Sequence, residues 1–104
     1  MKEVIQTNVG VEQEIVVPYG TETLRLILQF DDYNISWFLN IVNEASKAEI
    51  INGINLKLGN DALFGMGLKY GSLTLIDTDP TSPNSINLKA DFGDRLKLVR
   101  DLDA

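Results

Sequence analysis

Leu24-Arg25-Leu26-Ile27-Leu28-Gln29-Phe30, then Asp31-Asp32-Tyr33-Asn34, then Ile35-Ser36-Trp37-Phe38-Leu39-Asn40-Ile41-Val42, is the stretch that decides the fold class. In the first run Leu24, Leu26, Leu28 and Phe30 recur at period two, while Thr23, Arg25 and Gln29 take most of the other face. That is the pattern of a half-buried strand. The four residues after it are turn formers. The next run sets Ile35, Trp37, Leu39 and Ile41 on one face and Ser36, Phe38, Asn40 and Val42 on the other. Two strands and a turn make a hairpin.

Working outward, Val9, Val11, Ile15 and Val17 among Glu12, Gln13 and Glu14 predict an opening strand that stops at Pro18-Tyr19-Gly20. Downstream, Asn52-Gly53 lies between Ile50-Ile51 and the alternating Ile54, Leu56 and Leu58. Asn-Gly suits a type I′ turn, which needs positive φ at both central residues, so a second hairpin is predicted there. Residues 59–71 break the pattern, with a helical turn read at Asp61-Ala62-Leu63-Phe64 and glycines leading onward. Leu73, Leu75 and Ile76 form a strand ending at Asp77-Thr78-Asp79-Pro80. Residues 77–87 are the longest loop, and Leu96 and Leu98 alternate with Arg95, Lys97 and Val99 in a last strand. About seven short strands with Gly, Pro, Asn and Asp between them, and no amphipathic helix, predict a mainly antiparallel all-β fold. The expected architecture is a small β-sandwich or a partly open β-barrel. Residues 1–104 read as one β domain, with 1–20 as an N-terminal extension and 101–104 as a frayed tail.

Composition narrows the function. The 104 residues hold 9 Lys and Arg against 15 Asp and Glu, a net charge of −6, with neither histidine nor cysteine. Thiol nucleophiles, disulfides, Cys/His zinc sites and imidazole acid–base chemistry are therefore excluded within this chain. An enzyme is not expected, nor is a cofactor. The acidic balance opposes direct binding to nucleic acid or anionic lipid, since the cations are scattered singly. No apolar stretch reaches signal-peptide or membrane-span length, so no membrane association is expected.

Each remaining cluster has a structural reading that outweighs its chemical one. Asp77 and Asp79, with Asn84 beyond them, offer oxygen ligands for a hard cation, but the glycine and distal glutamate of a calcium loop are missing. A strand-ending turn is the better reading, and no metal is expected. Asp31 and Asp32 likewise read as a turn rather than an acid–base pair. Gly65-Met66-Gly67 lacks the strand-to-helix setting of a phosphate cradle. Trp37 and Phe38 point to opposite faces, so one belongs to the core and the other faces outward or into a second layer.

Trp37-Phe38-Leu39-Asn40-Ile41, Gly53-Ile54-Asn55-Leu56-Lys57-Leu58-Gly59, Gly71-Ser72-Leu73-Thr74-Leu75-Ile76-Asp77 and Phe92-Gly93-Asp94-Arg95-Leu96-Lys97-Leu98-Val99, in this order, resemble the small baseplate plug proteins of contractile-tailed bacteriophages, of the cyanophage type. The likeness runs from about Thr21 to Arg100. It implies a non-enzymatic virion protein at the centre of the tail baseplate, between tail tube and hub or spike, assembled in the host cytoplasm. Its partners would be hub, tail-tube and spike proteins, with several copies in a symmetric assembly. On that reading the expected partner contacts are Arg25, Trp37, Phe64, Lys69, Tyr70, Asp77, Asp79, Pro83, Arg95 and Arg100. Single cations such as Arg25, Lys69, Arg95 and Arg100 would pair across subunits and fix register. The competing reading is a free-standing binding module, such as a sugar-binding sandwich that uses Trp37, Tyr33 or Tyr70 as stacking platforms.

Overall fold

The alternation at Leu24–Phe30 becomes the inner strand of a four-stranded antiparallel sheet in the computed structural model, which describes residues 2–19, 21–64 and 70–101. The strands are β1 (Lys2–Ile5), β2 (Gln13–Tyr19), β3 (Glu22–Asp31), β4 (Ser36–Asn43), β5 (Glu49–Leu56), β6 (Ser72–Asp77) and β7 (Leu96–Asp101). One sheet has the order β2-β3-β4-β5 and the other β1-β7-β6, each fully antiparallel. The all-β sandwich predicted from the sequence is the fold, with open sheets that do not close into a barrel.

The core lies between the two sheets. Leu24, Leu26, Leu28 and Leu39 from one sheet, and Leu73, Leu96 and Leu98 from the other, have no exposure at all. Each such side chain contributes about 1.5–3 kcal/mol, so these alternating leucines outweigh any single polar contact in holding the sheets together. At one end Trp37 stacks on Phe92 with ring centres 4.3 Å apart and packs edge-on to Phe30. Its indole nitrogen donates to the Leu88 carbonyl at 2.6 Å, which ties the long loop before β7 to the core.

Three local readings need correction. Asn52-Gly53 is no hairpin turn: β5 runs straight through it, and Leu39 pairs with Ile54 while Ile41 pairs with Ile51. The extra residue makes a β-bulge, with Gly53 at φ 74° supplying the left-handed conformation and its N–H donating to the Asn40 side chain. The real β4–β5 turn is more polar, where the Asn43 carboxamide accepts from the N–H groups of Ala45 and Ser46. Second, the opening strand is two strands in different sheets, β1 and β2. Residues Val9 and Val11 fall in the connection, which Gln13 staples by hydrogen bonds to Asn8 and Val11. Third, Ile35 is not on the core face of β4. It sits in the β3–β4 turn at φ 50° and is 63% exposed.

After β5 the chain crosses to the other sheet. Gly59 N–H donates to Leu75 O, Ala62 N–H to Leu73 O, and the Asp61 carboxylate accepts from Leu73 N–H. The outer edge of β6 is thereby covered by residues 59–62. On the opposite side no backbone ladder joins β1 to β2 among the described residues, and the sandwich has an open seam there.

Candidate functional site

Arg100 spans that seam. It lies on the inward face of β7, and its guanidinium donates to the Pro18 carbonyl of β2, to Glu3 of β1 at 2.9 Å, and sits 4.7 Å from the Tyr19 ring centre. A cation this enclosed is tolerable because a carboxylate, a carbonyl and an aromatic face all meet it. One side chain therefore replaces the missing β1–β2 ladder. Burial pushes the neighbouring Tyr19 hydroxyl above its ordinary pKa, and Arg100 partly offsets this.

The backbone of β2 fixes which of its groups are free. Thr23 O accepts from Glu44 N–H on the β4 side, so Thr23 faces away from its β2 partner, Pro18. Pro18 consequently faces the outer edge, where its lack of an N–H removes no ladder bond. Since the β2–β3 register is continuous, alternation points the N–H and C=O groups of Val16 and Glu14 outward as well. The other edges are less regular: β5 carries the bulge, β6 is covered, and β1 has four residues.

Apolar side chains surround the open edge. Val4, Val9, Val11 and Val16 are each about half exposed, and all belong to β1, β2 or their connection. Beside them a shallow concavity of about 370 Å³ is lined by Glu12, Gln13, Glu14, Ile27, Leu28 and Gln29. Glu14 approaches Arg25 at 3.1 Å, but that guanidinium is held more closely by both oxygens of Glu44, at 2.7 and 2.9 Å. The Arg25 pair, helped by Lys47, pulls the Glu44 carboxyl down to about 2.

The expected contact residues are distributed over several places. Arg25, Arg95 and Arg100 are not lone cations in the folded chain, because each is held by a carboxylate of its own chain. Arg95 grips Asp77 through two 2.8 Å bonds and also donates to the Asn84 carbonyl. Asp77 accepts from Asp79 N–H too, so this pair closes the end of β6 as a turn. The Arg95 guanidinium holds the Asp77 carboxyl below its ordinary range. Trp37 is 1% exposed and Tyr70 8%, so neither offers a ring face to a partner or a sugar. Tyr70 instead packs edge-on to Tyr19 and donates to Glu22 at 2.6 Å. Phe64 at 85% exposed, with exposed Asp79 and Pro83, remains on the surface. Lys69, like Gly65-Met66-Gly67, lies outside the described residues.

Sequence reasoning passed over Glu12, Glu14 and Val16. Their signal was present in Pro18, since a proline in a strand marks an edge, and in valines left without alternating partners. The chain matches no protein-family model, and no curated protein matches it.

Proposed function

We propose that this chain is a non-enzymatic structural subunit that works by subunit contact, a plug or adaptor at the centre of a contractile-tail baseplate between tail tube and hub or spike. The observation that carries the contact reading is the open β1–β2 seam: an unladdered strand edge, flanked by four half-exposed valines, on a domain whose arginines are already engaged internally. Exposed edges of this kind favour completion by a neighbour. The placement in a phage tail rests on the order of the Trp37, Gly53, Gly71 and Phe92 segments, which resemble those of baseplate plug proteins.

The rival sugar-binding reading loses Trp37 and Tyr70, which are buried, and keeps Tyr33, which is 93% exposed. Its best surface is a concavity of about 530 Å³ on the outer face of the larger sheet, where Phe38 meets Gln29, Asn40 and Asn52. Co-expression with candidate tail-tube and hub proteins of a contractile-tailed phage, followed by sizing and electron microscopy, separates the two. A stable complex is expected. A chain that stays monomeric with these proteins at high micromolar concentration, yet binds immobilised glycans, would replace the baseplate reading with the rival.

A further inference from the structure

We infer that the β2 edge is the docking site for an extended basic segment of another protein, which adds as a fifth strand and seats a lysine or arginine between Glu12 and Glu14. This deepens the contact reading above, and depends on the baseplate assignment only for which protein supplies the segment.

Three observations converge on this surface. The backbone N–H and C=O groups of Glu14 and Val16 point outward with no ladder partner, which is the template for strand addition. Addition ends naturally at Pro18, whose carbonyl is occupied by Arg100 and which has no donor. The concavity next to this edge has Ile27 in its lining and carboxylates at Glu12 and Glu14. A long aliphatic stem ending in a cation matches that combination, with methylenes on the apolar part and charge at the carboxylates.

Charge decides which occupant fits. Arg25 donates to Glu14 at 3.1 Å but is held more closely by Glu44, and Arg100 is held by Glu3, so among the described residues Glu14 shares its cation and Glu12 pairs with none. A second copy would bring another net charge of −6, with its own Glu12 and Glu14, to the same edge. Like charges across strands destabilise pairing. A segment with valine-like residues facing Ile15 and Val17, and lysine or arginine on alternate positions, satisfies both faces of the added strand.

The test is a titration of the full isotope-labelled chain with the peptide acetyl-Val-Lys-Val-Lys-Val-Lys-Val-amide at low salt, with the matching Val-Glu peptide as control. Amide shifts confined to the β1–β2 connection, β2 and Ile27 are expected, with exchange of the Glu14 and Val16 amides slowed about tenfold. Glu14→Lys should weaken binding about threefold to fivefold, while Glu49→Lys on the far edge strand leaves it unchanged. Val16→Pro should abolish it. If that variant fails to fold, the lysine variants and the wild-type amide exchange carry the test.

Several outcomes overturn the inference: equal binding of the acidic peptide, shifts centred on β5 or residues 57–64, or unchanged Glu14 and Val16 exchange at saturation. Dimerisation of the chain alone through β2 would assign the edge to a second copy and also overturn it. Peptide binding at this edge without any complex in the co-expression experiment would remove the baseplate assignment and leave the edge site standing. A tail complex that forms equally well with Glu14→Lys and Val16→Pro would do the reverse.

Discussion

At the residue scale the most constrained position is Gly93. Its φ is 85°, and a Cβ there would lie 2.5 Å from the Asn8 carbonyl oxygen, a backbone atom that cannot swing aside. Gly93→Ala should therefore destabilise the protein by at least about 2 kcal/mol, combining left-handed strain with the clash; urea unfolding measures it, and a loss under about 0.5 kcal/mol would contradict the close approach. Trp37 is the second such position. Trp37→Phe keeps much of the stacking on Phe92 but leaves the Leu88 carbonyl without its indole donor. The expected cost is about 1–3 kcal/mol. Blue-shifted tryptophan emission in the wild type, moving to the red on unfolding, follows the same burial. Both residues hold the long loop and the N-terminal connection against one end of the sandwich.

At the element scale, strands are set by period-two burial, and their edges by local exceptions to it. The β5 bulge is the clearest case. Gly53 has open space around its Cα, so the demand there is conformational rather than steric. Gly53→Ala should cost about 1 kcal/mol and Gly53→Asn less than half of that, because asparagine enters the left-handed region more readily. Equal losses in thermal unfolding would show that the bulge needs something other than its φ. The bulge twists the β5 edge away from regular pairing, and residues 59–62 cover β6, so two of the four sheet edges are blunted. The β2 edge keeps the regular geometry, which is why the proposed docking falls there.

At the scale of the whole molecule, charge is organised as intrachain pairs, and this gives a pH signature. Glu44, Asp77 and Asp31 all have carboxyl pKa values below their ordinary ones, Glu44 from 4.5 to about 2, held chiefly by Arg25, Arg95 and Asn34 respectively. A depressed folded-state value contributes stability that is present above the unfolded value and lost as pH falls through the folded one. The melting temperature should thus hold down to about pH 4.5 and decline towards pH 2, and Glu44→Gln should make that decline shallower. At the alkaline end the Glu22 carboxylate, by accepting from Tyr70, pushes its hydroxyl from 10.0 to about 12. The neutral phenol is the form the fold prefers, so that stability is complete below pH 10 and lost between 10 and 12. Tyr70→Phe should remove part of this alkaline dependence, with Tyr19 retaining the rest.

The sequence by itself determined the fold class, because alternation at Leu24–Phe30, Leu73–Ile76 and Leu96–Val99 leaves a strand as the only element that buries one face. Its lack of histidine and cysteine also determined which chemistry this chain cannot perform. Other features depended on residues distant in sequence. Asn52-Gly53 has the same local preference for positive φ in a turn and in a bulge, and only pairing with Leu39 and Ile41 selected the bulge. Lys2–Ile5 is too short to declare itself a strand until β7 supplies its ladder. The arginines read as free because their carboxylates lie 18, 19 and 97 positions away. The candidate site was legible only as Pro18 and a few unmatched valines. An edge exists only once the sheets are assembled and one strand is left without a neighbour.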